Sequence, residues 1–413
     1  MRCRHCGASV ELPFVDLGSA PPSNAYLTED ALNKPEKWYP LRVLVCTGCW
    51  LVQTEDYAHS GELFSNDYAY FSSFSTSWLQ HAERYLATMV GRFSLDGNSM
   101  IVEVASNDGY LLQYARARAI PCLGIEPTAS TAKAARAKGI DVVEAFFGVD
   151  LARRLIAEGK SADLAAANNV LAHVPDINDF VAGFAILLKP QGVATFEFPH
   201  VLKLVQDSQF DTIYHEHFSY LSLSAVIRIF ECNGLAVFDV EELPTHGGSL
   251  RVFAQRAGTG RREVSAQVGA MLSMEAGAGI TTAMFYTGFQ AQADRVKNEF
   301  LRFLLDARRS GKTVAAYGAA AKGNTLMNYA GVRSDLIRFV VDLNPAKQHK
   351  YMPGSRIPIL DEAALRANKP DFVAILPWNL RAEITAQLKY VREWGGKFVT
   401  AVPTLQVQEG SPS

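Results

Sequence analysis

Tyr214-His215-Glu216-His217 sets a phenol, two imidazoles and a carboxylate in consecutive positions, beside a run, Phe218-Ser219-Tyr220-Leu221, suited to packing. Such a cluster suits proton transfer, because an imidazole titrates near neutral pH and both takes and releases a proton without large tuning. If the segment is extended, Tyr214 and Glu216 face one way and His215 and His217 the other. Zinc binding by His215, Glu216 and His217 is an alternative, although the i, i+4 spacing of HExxH is missing; local capping is another. His173, in Asn168-Asn169-Val170-Leu171-Ala172-His173, could orient a substrate or polarise a carbonyl, or be a satisfied structural histidine. The string His246-Gly247-Gly248-Ser249-Leu250-Arg251 allows close backbone approach, and the Arg251 guanidinium could grip a phosphate as a fork.

A second chemistry lies in the cysteines. Cys3-x2-Cys6 and Cys46-x2-Cys49 are two knuckles able to turn four thiolates toward one tetrahedral centre. Such a closed set leaves no open position for water, so the zinc it implies is structural. The 39 residues between the knuckles exceed the usual finger spacing and point to a longer inserted loop. His5, inside the first knuckle, is read as exposed and not ligating, and Cys122 and Cys232 as small core residues. Arg2, Arg4, Arg42 and Trp50 are offset by Glu29, Asp30, Glu36, Glu55 and Asp56, which disfavours a nucleic-acid-binding ribbon.

Glu103-Val104-Ala105-Ser106-Asn107-Asp108-Gly109 closes a strand and opens a helix, where small residues and free N–H groups admit a ligand. Only Gly109 remains of a dinucleotide fingerprint, so the turn alone is a weak signal. About twenty residues on, Gly124-Ile125-Glu126-Pro127 puts a carboxylate where it can accept both ribose hydroxyls, unless Glu126 merely serves a helix start. The expected cofactor contacts are Glu103, Ala105, Ser106, Asn107, Gly109, Glu126, Pro127 and Asn168. No pyrophosphate turn is present, which favours S-adenosylmethionine over NAD.

The elements that must position these residues follow from patterning. Residues 1–75 are turn-rich and irregular, and need a staple. Trp78, Leu79, Tyr85, Leu86 and Met89 recur at helical spacing. From Met100 strands and helices alternate, MIVEVA, PCLGIEP, DVVEAF, ADLAAANNVL and GVATFEFP being the strands, which implies a doubly wound parallel sheet. After a helical stretch, 264–309, a second series runs KTVAAYGAAAKG, IRFVVDLNP, DFVAILPWN and KFVTAVP. The fold class is therefore α/β, with domains expected at 1–75 (zinc-binding), 76–260 (Rossmann-like, cofactor-binding) and 261–413 (Rossmann-like). A chain of 413 residues with 48% hydrophobic and 20% charged residues can bury several cores. Its formal charge of -2 gives no global field for nucleic acid or anionic membrane. No signal-peptide core and no run of eighteen apolar residues is seen, so a soluble cytoplasmic protein is expected; separately, a monomer is the expected state.

Taken in order, the CxxC pairs, PPSNAYL, EVASNDGYLL, GIEP, NNVLAHVPD, FEFPH, YHEHFSYLSL, HGGSLR, YGAAAKGN and DLNPAKQHKYMPGSRIPI resemble a family over nearly the whole chain. That family is the S-adenosylmethionine-dependent sugar C-methyltransferases acting on nucleotide-linked 4-keto deoxysugars, as in C-3 branched sugar pathways of antibiotics. The resemblance implies a zinc domain and a C-terminal Rossmann-like domain flanking the cofactor core, a dTDP-linked keto-deoxysugar between them, and His217 as general base. It also implies Tyr214, Glu216, His173 and Tyr68 around the reacting sugar, with Glu216 able to orient the imidazole. A carbon beside a ketone becomes nucleophilic once a base removes its proton and the enolate oxygen is held, so one base and one donor suffice. His215 and Arg251 are read as substrate contacts; Gly318-Ala319-Ala320-Ala321-Lys322-Gly323 reads as an anion cradle, with Lys347, Lys350, Tyr351 and Arg356 adding to it, unless that unit is scaffold only. The competing readings are O- or N-methyl transfer and a nicotinamide-dependent sugar-nucleotide oxidoreductase.

Overall fold

The computed structural model describes residues 1–57 and 71–408. The N-terminal segment is more regular than its sequence suggests: β1 (Leu12–Ala20), β2 (Tyr39–Val45) and β3 (Val52–Thr54) form an antiparallel sheet. Two register shifts, between Pro13 and Val15 and between Asp16 and Ser19, break the period-two pattern of β1, which hides the strand from a reading of alternation.

The expected alternation of strands and helices appears as β4 (Ile101–Val104), β5 (Cys122–Ile125), β6 (Asp141–Val143), β7 (Ala162–Asn168) and β8 (Leu188–Pro199), all parallel. Their near-continuous apolar composition suits burial on both faces. The next piece of chain, β9 (Ser219–Tyr220), leaves this sheet and pairs antiparallel with β3, Val52 opposite Tyr220 and Gln53 opposite Ser219. Then β10 (Leu235–Leu243) and β11 (Ser249–Arg256) return antiparallel, giving the order β10-β11-β8-β7-β4-β5-β6. The helix Thr76–Phe93 buries Ala82, Tyr85, Leu86 and Met89, the i, i+3, i+4, i+7 stripe of one helix face, and starts at Ser75, whose hydroxyl accepts the Trp78 N–H.

The helical stretch divides into Ala266–Ala278, Ala283–Tyr286 and Phe289–Arg309. It leads to the third sheet, formed by β12 (Val314–Tyr317), β13 (Val340–Val341), β14 (Ile359–Leu360), β15 (Phe372–Ile375), β16 (Lys397–Thr400) and an antiparallel β17 (Gln406–Gln408), in the order β14-β13-β12-β15-β16-β17. Phe14 of β1 stacks on Phe289 of the long helix at 4.4 Å, so the first sheet shares a core with the third unit. Among the described residues no helix is long and apolar enough to cross a membrane.

Candidate active site

The two CxxC segments fold alike. Gly7 (φ 72°) and Trp50 (φ 63°), each following a second cysteine, are left-handed, and their N–H groups donate back to the carbonyls of Cys3 (3.0 Å) and Cys46 (2.7 Å). A left-handed tryptophan costs roughly 1–2 kcal/mol, strain of the kind a metal-bound turn can hold. The four Sγ atoms lie within 4.8 Å of one another, with 3.5 Å from Cys3 to Cys49 and 3.6 Å from Cys6 to Cys46. A zinc tetrahedron with bonds near 2.3 Å needs sulfur–sulfur edges of about 3.8 Å, so the quartet fits the ion. The Cys49 thiol beside it holds Cys3 down to about 4. Contrary to expectation His5 is not left in solvent: its Nδ1–H donates to Asn178 Oδ1 at 2.8 Å, and Asn178 Nδ2 donates to its carbonyl at 2.9 Å. Arg4 donates to the carbonyls of Thr54 (2.7 Å) and Phe218 (3.3 Å), so the first knuckle is docked against the segment that carries His217.

A cavity of about 400 Å³ opens at the carboxyl ends of β4, β5, β7 and β8. Ala105, Asn107, Glu126, Pro127 and Asn168 line it; Glu103, Ser106 and Gly109, expected as cofactor contacts, do not reach its wall. Ala105 (φ 57°), Asn107 (φ 49°) and Gly109 (φ 76°) alternate in the left-handed region, so the turn keeps the shape of a glycine-rich loop with only its last glycine. A Cβ on Gly109 would come 2.4 Å from Ile140, and one on Gly124 2.4 Å from the Ser106 hydroxyl; these two hold the turn against its neighbours. Glu126 Oε2 accepts the Asn107 N–H and Oε1 the Thr128 N–H, each at 2.9 Å, while burial pushes its carboxyl up. Asn168 Oδ1 and both amide atoms of Asn169 are buried with no partner among the described residues. Orphaned polar atoms at a cavity wall await a ligand, and a carboxylate able to accept a diol, the polar amide atoms of Asn168 and Asn169 and the apolar surface of Phe147 and Phe180 fit S-adenosylmethionine.

Residues 214–217 form a turn, not a strand: the His217 N–H donates to the Tyr214 carbonyl at 2.9 Å. That closure brings Tyr214 and His217 to the same side, ring centroids 4.0 Å apart, both lining the cavity, so the alternate-face expectation fails. His215 points elsewhere, its Nε2 between the carbonyls of Tyr39 and Pro40 at 3.2 Å each; it is an anchor for β2 and not a cavity residue. Glu216 is wholly buried with its carboxyl pushed up, and its Oε1 accepts both N–H groups of Asn24 at 3.2 Å. It does not orient the His217 ring, because a backbone carbonyl does: His217 Nδ1–H donates to Thr212 O at 2.9 Å.

His173 Nδ1–H likewise donates to Glu216 O at 2.8 Å, and the two rings stand 4.6 Å apart. Burial drives His173 down to about 4 and His217 well below its ordinary range. A carbonyl only accepts, so both neutral rings carry their proton on Nδ1 and keep a lone pair on Nε2. The Nε2 of His217 is thereby able to accept a proton, and the N–H of His173 is engaged by the Glu216 carbonyl. Thr54 of β3 fixes the turn from the other side, its hydroxyl donating to His217 O at 3.0 Å.

Two of the expected cationic contacts reach the same cavity. Lys322 donates to Asn379 Oδ1 at 2.7 Å over the Trp378 ring, burial pushing its ammonium down and Asp211 opposing. Lys347 donates to Ala319 O at 2.9 Å. Arg251 does not reach it: the register of β11 places it opposite Glu197 of β8 and Glu241 of β10, and it pairs with them at 2.8 and 3.1 Å. Arg356 donates to Leu32 O at 2.9 Å and lies 3.5 Å from Glu36, while Tyr351 exchanges backbone hydrogen bonds with Leu27. Both fasten the N-terminal segment to the third unit, and Lys350 beside them is equally absent from the wall. Tyr68 lies outside the described residues. The cavity also gathers Asn24, Trp78 and His246, to which the sequence assigned no role; PPSNAYL was the one signal for Asn24.

A four-cysteine zinc site joined to this crevice defines the class: an S-adenosylmethionine-dependent methyltransferase. Comparison with known proteins goes one step further, and the chain belongs to the C-methyltransferases. Residues 3–64, 78–240 and 244–403 match in turn a zinc binding domain, a methyltransferase domain and the C-methyltransferase C-terminal domain. The chain is 34% identical to the C-methyltransferase NovU of Streptomyces niveus over 405 residues, 98% of this chain and 96% of that one. Among solved structures it is similar to an S-adenosylmethionine-dependent methyltransferase from Clostridium acetobutylicum ATCC 824 (10% identity, TM-score 0.36, 44% of this chain and 92% of that one). It is also similar to magnesium protoporphyrin IX methyltransferase from Synechocystis PCC 6803 with bound SAM (17% identity, TM-score 0.33, 43% and 79%).

Proposed function

We propose that this enzyme methylates a ring carbon, C-3, next to the ketone of a dTDP-linked 4-keto-deoxysugar. The observation that carries the reading is the lone pair on His217 Nε2, set by the Thr212 carbonyl, in a cavity that also holds Glu126 and two lysines. His217 takes the proton from the carbon beside the ketone, the C–H electron pair forms the C=C bond, and the carbonyl π pair moves onto oxygen, giving an enolate whose carbon is nucleophilic. S-adenosylmethionine, when bound, would supply the electrophilic methyl that the enolate carbon takes as its bond to sulfur breaks. Glu126 accepts the ribose hydroxyls of the cofactor, and Asn168 and Asn169 complete its polar contacts. Tyr214 and His173 line the sugar, while Lys322, Lys347 and the N-terminus of helix Ala321–Tyr329 receive the diphosphate. The functional units run 1–75, 76–260 and 261–413, with the zinc unit bracing the turn that bears the base, and the enzyme works as a monomer.

A panel of dTDP-linked keto-deoxysugars, read by mass for one added methyl, tests the substrate class. Solvent exchange of the proton next to the ketone, present in wild type and lost in His217→Asn, tests carbon chemistry. Methylation of oxygen or nitrogen without such exchange ends the reading, as does tight nicotinamide binding without S-adenosylmethionine binding.

A further inference from the structure

We propose that His246 is the catalytic hydrogen-bond donor that holds the substrate's carbonyl oxygen as it becomes an enolate. This inference rests on the reading of His217 as base. Three imidazoles line the cavity, His173, His217 and His246. The first two have spent their N–H on backbone carbonyls and present only acceptors. An oxyanion needs a donor aimed at it, which neither can be. His246 makes no hydrogen bond to any described residue, so its N–H remains available, and its ring rests against Trp78 with centroids 5.4 Å apart.

The backbone is arranged to deliver this one side chain. His246 is left-handed (φ 54°), and Gly247 (φ 91°) and Gly248 (φ 117°) continue the turn. A Cβ on Gly247 would stand 2.4 Å from Trp378, and one on Gly248 2.6 Å from Lys203, so the turn is pressed between two neighbours. Thr245 anchors it, its hydroxyl donating to the buried Glu197 at 3.0 Å. Glycine or asparagine would take the φ of residue 246 with less strain, so folding alone gives no reason for a histidine there. Burial pushes the ring down to about 4; at neutral pH the donor is an uncharged imidazole.

His246→Phe keeps a ring against Trp78 and removes the N–H, and His246→Asn returns a donor in a residue that tolerates the backbone. Three readouts apply to both: adenosylmethionine affinity, kcat and KM for methyl transfer, and wash-out of the ring proton in D2O from the dTDP-linked 4-keto-deoxysugar that the wild type methylates. The expected result is adenosylmethionine affinity within about twofold, and kcat and wash-out both lowered roughly 10²–10³-fold in His246→Phe, the usual effect of removing one oxyanion donor, with partial recovery in His246→Asn. Wild-type wash-out in His246→Phe overturns the proposal, and so does a rise in KM with kcat unchanged. His217→Asn in the same assay separates the two readings: wash-out lost there but intact in His246→Phe removes only the donor, whereas wash-out retained in His217→Asn removes the base beneath it.

Discussion

Glu126 accepts the backbone N–H of Asn107 at 2.9 Å, tying the end of β5 to the left-handed turn that follows β4. The same tie recurs in the third unit, where Asp342 accepts the N–H of Ala319 at 2.7 Å beyond β12. In each, an acid after one parallel strand braces the turn after its neighbour. What differs is the company of the acid. Lys347 stands 3.8 Å from Asp342, whereas among the described residues no cation pairs with Glu126. With no such cation beside it, Glu126 keeps its oxygens for N–H and O–H donors, whereas Lys347 balances the charge of Asp342.

Glu126→Gln should weaken adenosylmethionine binding by roughly 10- to 100-fold, since each hydrogen bond to a charged group contributes about 1.5–3 kcal/mol. Titration calorimetry on a variant shown to be folded decides it. Affinity equal to wild type would remove Glu126 from the cofactor site.

The strained turn gives a prediction of opposite sign. Ala105→Gly relieves a left-handed alanine at the cost of added freedom in the unfolded chain, so a gain of about 0.5–1 kcal/mol is expected. Gly109→Ala should destabilise by more than that, because its Cβ meets Ile140 as well as the strained φ. Denaturant midpoints of the two variants should therefore move apart on either side of wild type.

Removing the metal should release one zinc ion per chain and reach the chemistry through β3. Thr54 donates its N–H to Phe218 O at 3.1 Å and its hydroxyl to His217 O at 3.0 Å, so a loosened first sheet loosens the turn that carries His217. Chelation, or Cys49→Ser, is expected to cut methyl transfer more than adenosylmethionine affinity, with metal content measured alongside. A zinc-free protein with wild-type kcat would separate the two sites.

How much of this was legible beforehand varies with the distance over which each residue's partner is fixed. The cysteine quartet was legible because each knuckle is a local turn, and the strands of the central sheet because burial on both faces leaves continuous apolar runs. Arg251, His215 and Arg356 read as ligand contacts because each is a polar side chain near a motif. Their partners, Glu197 and Glu241, the carbonyls of Tyr39 and Pro40, and Leu32 with Glu36, come from strand register and from distant chain that spacing does not encode. That His217 reaches the cavity was legible by type, but its tautomer was not, since Thr212 sets it through a turn that the alternation rule reads as a strand.

The buried imidazoles predict a split between activity and stability in acid. Burial holds His173 and His246 near 4 and His217 lower than usual, whereas in the unfolded chain each titrates near 6.5. Between those values the unfolded state binds protons that the folded state refuses. Stability therefore rises with pH through that window and is lost as pH falls, by about 1.4 kcal/mol per pH unit for each such proton. His217, the proposed base, stays neutral, so kcat/KM should remain flat from pH 8 to about 6 while the denaturant midpoint declines below 6.5. An acid limb at 6.5 in fully folded protein contradicts a buried base.

Arg251 offers the sharpest test of a corrected expectation. Burial pushes the Glu197 carboxyl up, yet His81 and Arg251 together hold it below the usual range, so Glu197 is charged inside the protein. Arg251→Met leaves that charge without its guanidinium, a change that typically costs about 3–5 kcal/mol. Had Arg251 gripped the diphosphate, the variant would instead keep its stability and raise KM. Adding Glu197→Gln to Arg251→Met removes the stranded charge and should recover part of the loss, whereas a phosphate contact would gain nothing from the second change. Denaturant midpoints of the two variants, with KM measured where both are folded, distinguish the arrangements, and recovery in the double variant identifies the cross-strand pair as what Arg251 is there to make.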